Sequence, residues 1–99
     1  MKSFDEHRKR VAKFPEDVRK AHKHSTKLRM EIEASKICGC FCCCSIFGPD
    51  EIVDWTDENE EDVGQTAICP YCLIDSVIGS VSGFPINEDF LNKMKKYWF

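Results

Sequence analysis

No stretch of this 99-residue chain is apolar for long enough to cross a bilayer. A spanning helix needs about 20 consecutive apolar residues. The longest apolar stretch, Ile37 to Phe47, is far shorter, and cysteine is its commonest residue. Met1 to Arg10 is charged throughout and lacks the apolar core of a signal peptide. A cytoplasmic setting without membrane contact is therefore expected. The chain also lacks a glycine-rich phosphate loop, a nucleophile elbow and a glycosidase-like carboxylate pair. No enzymatic activity and no small-molecule substrate are expected. There is no low-complexity tract, and nothing repeats except a pair of cysteine motifs.

Charge is unevenly distributed within a net of −3. Residues 1–30 hold ten lysines and arginines against four acids, together with His7, His22 and His24. Residues 50–62 hold eight acids and no base. Those acids lack the ligand spacing and central glycine of a calcium loop. They read as solvated, or as paired with the basic arm. The basic third has the charge of a nucleic-acid-binding arm, although the net negative charge weighs against that reading. The histidines read as surface residues. His22 and His24 are two apart, which puts them on different sides of a helix and disfavours a metal pair.

A chain of this length is expected to form one domain with a modest core, and such domains often add a metal or disulfides. Seven cysteines are therefore informative. Their odd number argues against a fully paired disulfide framework, and clustered cysteines in a reducing compartment read first as metal ligands. Cys40-Phe-Cys-Cys43 and Cys69-Pro-Tyr-Cys72 are two Cys-x-x-Cys pairs with 25 residues between them. A two-residue spacer lets one tight turn aim both thiolates at a point. Two such turns supply the four tetrahedral ligands that a structural zinc ion takes. Cys40, Cys43, Cys69 and Cys72 are thus the expected ligands of one structural Zn2+. Cys69 and Cys72 have no rivals nearby. Cys40 and Cys43 are chosen on spacing over Cys38, Cys42 and Cys44, which remain as packing residues or as redox-sensitive thiols. Cys-Pro-Tyr-Cys is also the active-site motif of glutaredoxins. Only 27 residues follow Cys72, too few to complete that fold.

The expected fold is small α+β, a zinc-knuckle pair of zinc-ribbon or treble-clef-like type with two to three packed helices. Residues 1–13 read as a frayed basic arm. Pro15, Glu16 and Asp17 suit a helix start, and that helix carries Val18 and Ala21, with His22 a further position it can carry. A second helix over about 27–35, capped by Ser25 or Thr26, carries Leu28, Met30 and Ile32; the two can also be one. Pro49, Asp50 and Glu51 open another helix that buries Ile52, Val53 and Trp55. Thr56 to Gly64 reads as a loop, Gln65 to Ile68 as a strand, Leu73 to Ile78 as strand or short helix, and Gly79 to Gly83 as a turn. Asn87 caps the clearest helix, whose stripe is Phe90, Leu91, Met94, Tyr97 and Trp98. The terminal aromatics Tyr97, Trp98 and Phe99 are expected to dock on the core, or else to form a partner surface. Asp75 and Ser76 are expected to cap or hydrogen-bond the second knuckle.

The segments Cys38-Gly-Cys40-Phe41 with Cys43, Pro49-x-Glu51-Ile52-Val53-x-Trp55, and Thr66 to Cys72 continuing through Ile74-Asp75-Ser76-Val77-Ile78-Gly79 add a resemblance. With the Tyr97-Trp98-Phe99 end, they resemble a group of small bacterial cytoplasmic proteins that pair a CGCFxC segment with a CPxCGIDSVIG segment. The resemblance covers about residues 22–99. It implies metal binding in a bacterial cytoplasm and implies no activity. Position 73 departs from the pattern: it is Leu where the group tends to have Gly, which tolerates φ > 0. The second knuckle is expected to differ slightly as a result. Positions 42 and 44 are cysteine where other residues are usual. Three functions follow from these readings: a zinc-stabilised module for protein partners, a nucleic-acid-binding zinc module using the basic region, or a thiol redox protein or sensor. The first is preferred.

Overall fold

The structure is a computed structural model and describes residues 13–99. The basic arm, apart from Lys13, and His7 lie outside the described residues. Among the described residues are three α-helices, α1 (Glu16–His22), α2 (Arg29–Ala34) and α3 (Glu88–Trp98). The strands are β1 (Cys38–Cys40), β2 (Ile46–Phe47), β3 (Trp55–Glu58), β4 (Gly64–Ala67) and β5 (Val77–Gly79). No described helix is long and apolar enough to cross a membrane. The chain is a small mixed α/β structure with two small antiparallel sheets.

One sheet has the order β2-β1-β5 and places both knuckles. Cys40 ends β1 opposite Val77, where β5 begins. Phe41 N–H extends the pairing by donating to the Ser76 carbonyl at 3.0 Å. The alternation of side chains along a strand divides the core. Cys38, Cys40 and Val77 face a cluster with Ile32, Phe47, Ile52, Ala67 and Cys69. Ile78 faces the other cluster, with Val18, Ala21, Phe41, Phe90, Leu91 and Met94. Gly39 lies opposite Ile78 in the sheet, and a Cβ there would stand 2.8 Å from Leu91 Cδ1. The bare glycine lets α3 press onto β1.

Residues 16–35 form two helices, because the backbone turns aside between them. Ser25 Oγ donates to the His22 carbonyl at 2.7 Å, which is a local competitor to helix continuation. Lys27 then takes a left-handed φ of 57°. The expected Ser/Thr cap is not used: the N-cap of α2 is Leu28, which makes no side-chain cap. With only six residues, α2 buries Ile32 alone, and Leu28 and Met30 are exposed.

The segment after Pro49 corrects two expectations. Its helix is one 3-10 turn, Pro49–Glu51. The chain then extends, so Ile52 is buried while Val53 points to solvent. Thr56 to Gly64 is loop only over residues 59–63: Thr56 to Glu58 belong to β3 and Gly64 begins β4, so the segment is most of a hairpin. Asn59 closes its turn, accepting on Oδ1 from Glu61 N–H at 2.9 Å and Val63 N–H at 3.1 Å. Arg29 lies over the Trp55 ring at 4.3 Å and donates to the Gly64 carbonyl at 3.0 Å, which ties α2 to the hairpin.

Toward the C-terminus, Asn87 caps α3 by accepting from Phe90 N–H at 2.8 Å. Phe90, Leu91 and Met94 are buried. Trp98 docks by donating from Nε1 to the Val18 carbonyl at 3.1 Å. Phe99 stays exposed, with its ring 5.9 Å from Phe41.

Candidate metal centre

The two cysteine turns share one hydrogen-bond pattern. In the first, Cys40 C=O accepts from Cys44 N–H at 2.8 Å, and Cys40 N–H donates to Ser45 C=O at 3.0 Å. In the second, Cys69 C=O accepts from Leu73 N–H at 3.0 Å, and Cys69 N–H donates to Ile74 C=O at 2.9 Å. The residue after the second cysteine of each pair is left-handed, with φ of 63° at Cys44 and 65° at Leu73. This geometry turns N–H groups toward sulfur. Cys42 and Cys43 donate to Cys40 Sγ at 3.3 and 3.4 Å, and Tyr71 donates to Cys69 Sγ at 3.4 Å.

The sheet brings the turns face to face. The Sγ atoms of Cys40, Cys43, Cys69 and Cys72 all lie within 4.8 Å of one another. Cys40 and Cys72 are 3.6 Å apart, and Cys43 and Cys69 are 3.7 Å apart. Sulfurs held at about 2.3 Å from a tetrahedral ion stand about 3.8 Å from each other. A disulfide needs about 2.05 Å, and all seven cysteines are free. The cluster therefore has the dimensions of a four-thiolate metal site. Cys40 and Cys69 are buried, while Cys43 and Cys72 lie toward solvent.

The surroundings act on the sulfurs in opposite directions. Burial acts to raise the Cys43 pKa, but hydrogen bonds from Ser45, Cys40 and Cys69 outweigh it and bring the thiol down to about 7. Burial pushes Cys69 and Cys72 upward, and the adjacent cysteines add to the rise. A bound cation would remove that conflict by neutralising the crowded thiolates. Ser76 Oγ is 3.0 Å from Cys40 Sγ and fully buried, and Ser45 Oγ is 3.2 Å from Cys43 Sγ. Each hydroxyl can donate to a thiolate, so both belong to the layer that orients the ligands. Ser76 was expected to hydrogen-bond the second knuckle; its hydroxyl instead meets Cys40 of the first pair. Ser45 was not anticipated; its place two residues after Cys43 is the only signal in the sequence.

The surplus thiols go elsewhere. Cys38 is buried with Sγ 3.9 Å from the Ile32 carbonyl, and burial raises its pKa to about 11. Cys42 is half-buried against the core around the site. Cys44 packs on the other cluster, 3.3 Å from Asn92 Oδ1. The metal-capable group among the described residues contains no histidine. The expectation of surface histidines needs correcting in part. His22 is half-buried and stacked on Trp98, and His24 is half-buried at 2.9 Å from the Glu31 carboxylate.

Leu73 adopts the left-handed turn that a glycine would, with φ of 65°. For a non-glycine residue that conformation costs about 1–2 kcal/mol, while a glycine loses about 0.5–1 kcal/mol more in conformational entropy. The Leu73 side chain is exposed and contributes little packing. Leu73→Gly is therefore expected to stabilise the metal-loaded protein by about 0.5 kcal/mol and raise its Tm by a few degrees. A lower Tm in a thermal melt would contradict the strain argument. Comparison of the chain with protein-family models, curated proteins and solved structures returns no match.

Proposed function

We propose that this protein is a zinc-stabilised interaction module of the bacterial cytoplasm. Cys40, Cys43, Cys69 and Cys72 hold one structural Zn2+. The observation that carries this reading is the convergence of their four sulfurs within 4.8 Å. Soft thiolates in a tetrahedral set suit zinc. With all four positions taken by protein, none is open to a substrate, and the ion serves the fold. Strands flank both knuckles, and the element next after the second pair is β5 and not a helix, which favours a zinc ribbon over a treble clef. A reducing cytoplasm keeps such thiols available, and the resemblance to small bacterial proteins points to the same setting.

The module acts through its surface, and a protein is the partner this reading favours. The second knuckle presents Tyr71, Leu73 and Ile74 to solvent. Apolar side chains grouped on a rigid turn are a common mark of protein contact.

Protein purified under reducing conditions is expected to carry one equivalent of zinc by atomic emission. Cobalt exchanged into the site should give the intense absorption of tetrahedral thiolate coordination. Less than about half an equivalent of tightly bound metal would overturn the reading, given the affinity of structural zinc. Iron as the native metal would keep the site and overturn zinc.

A further inference from the structure

On the far side of α1 from the core, Glu16, Arg19, Lys20 and Lys23 recur at helical spacing and share one face. With His22 and Trp98 they line a cleft of about 340 Å³. That is the small end of the range for ligand sites, about 300–1,000 Å³. Three cations oppose one carboxylate there. Glu16 is taken up by Lys20 at 2.6 Å in an exposed ion pair, a kind of contact that contributes little and rearranges readily. Arg19 and Lys23 remain without a carboxylate partner among the described residues.

Two further observations point to a ligand. Arg19 Nε is closed off from solvent yet has no hydrogen-bond acceptor among the described residues. A buried donor left unpaired costs about 1–3 kcal/mol, which Arg19 would recover by turning Nε toward an acceptor bound in the cleft. Beside it stands a rigid aromatic wall. The Trp98 ring stacks on His22 with centroids 3.8 Å apart and planes 26° apart, and the Trp98 Nε1 bond to Val18 fixes it.

We propose that this cleft binds a nucleotide, with Arg19 and Lys23 on the phosphate oxygens and the Trp98–His22 wall against the base. A planar guanidinium takes phosphate in a two-pronged contact that an ammonium cannot make. The aromatic wall separates a nucleotide from a bare anion, because bases pack on such surfaces whatever their sequence. The ligand is either a free nucleotide or one residue of a single strand. This inference goes beyond the zinc reading and needs only that the fold be intact.

The test is a titration of the full chain, loaded with metal, followed by the Trp98 indole N–H and the amides of 19–23 in nitrogen-proton NMR spectra. Adenosine 5′-monophosphate is expected to shift these signals saturably. Adenosine, which loses the charged hydrogen bonds, and inorganic phosphate, which loses the base contact, are each expected to bind at least about tenfold more weakly. A short oligodeoxyadenylate at low salt separates the two sources: tighter binding than the mononucleotide assigns the site to a strand, and weaker binding assigns it to the free nucleotide. Arg19→Gln and Lys23→Gln should each weaken binding about fivefold or more at unchanged metal content. Lys23 is exposed, so that variant remains informative if Arg19→Gln folds poorly. Absence of saturable shifts at millimolar ligand would overturn the proposal. So would inorganic phosphate or an acidic peptide binding as tightly as the nucleotide, or full binding by Lys23→Gln.

Discussion

Cys69→Ser is expected to leave the chain without stoichiometric metal and without a cooperative thermal transition. The reason is the position of Cys69, which is fully buried and joins two parts of the fold. It lies two residues after the end of β4, packs in the core cluster with Cys40 and Val77, and faces Cys43 across 3.7 Å. A serine there replaces a soft thiolate with a hydroxyl that stays protonated and ligates zinc poorly. The loss reaches the whole domain, since structural zinc in small peptides contributes about 10–16 kcal/mol at neutral pH, more than the usual net stability of a domain, about 5–15 kcal/mol. Cys43→Ser should be milder. Cys43 lies toward solvent, so water can take the vacant position and a weakened site survive.

Cys42→Ser and Cys44→Ser should keep a full equivalent of metal. Neither sulfur belongs to the cluster, and Cys44 points to Asn92 instead. The same site sets the response to acid. Metal binds the deprotonated thiolates, so protons compete with it as pH falls. Metal content and the folded signal should therefore be retained at neutral pH and lost together on the acid side. Metal analysis and far-ultraviolet circular dichroism on the cysteine series check both points. A full equivalent in Cys69→Ser, or loss of metal in Cys44→Ser, would refute this division between ligands and spare thiols.

The cysteine pairs were legible because their spacing is a chemical requirement, independent of what surrounds them. The choice of Cys40 and Cys43 among five cysteines agrees with the shared turn pattern that places Cys44 and Leu73 in equivalent left-handed positions. The last helix was legible too, since Asn87, the first-turn acids and the Phe90, Leu91, Met94 stripe all favour one outcome. The hairpin of β3 and β4 was hidden. Its exposed side chains are mostly acids, which carry no strand signal. What holds it is Thr66 Oγ1, which donates to Asp57 across the hairpin at 2.7 Å and accepts from the sequence-distant Lys27 N–H at 2.8 Å. Val53 shows the cost of the wrong period. A helix would have buried it near Ile52, whereas an extended backbone sends the two to opposite sides. The bond from Ser76 to Cys40 spans 36 residues, and only the β1–β5 pairing could show that serine's partner to be in the first knuckle.

That pairing leads to the second large effect. Gly79→Ala is expected to destabilise the protein by about 2 kcal/mol, in the range for forcing a methyl group into a packed site. For a domain of this size the Tm would fall by about 8–16 °C. Gly79 lies opposite Cys38 in the sheet, and its φ of −111° suits any residue. The penalty is therefore steric. A Cβ at 79 would stand 2.8 Å from Ser35 Cβ and collide with Ser35 Oγ. That hydroxyl cannot move freely. It donates to the Glu31 carbonyl at 2.8 Å and accepts from Val81 N–H at 3.1 Å, latching the end of α2 to the turn after β5. Pushing it aside breaks one of these bonds in a buried place, or shifts β5 away from β1. The second route also reaches the metal, because β5 holds Val77 opposite Cys40. Gly79→Ala should accordingly release bound metal to a chelator faster than the parent protein does. Ser35→Gly removes both colliding atoms, so the double variant should regain part of the loss, and a thermodynamic cycle would show coupling between the two positions. Additive effects in that cycle, or an unchanged Tm in Gly79→Ala, would mean that α2 does not press on the sheet at this point, and that the knuckles are held in register by the metal and the β1–β5 hydrogen bonds alone.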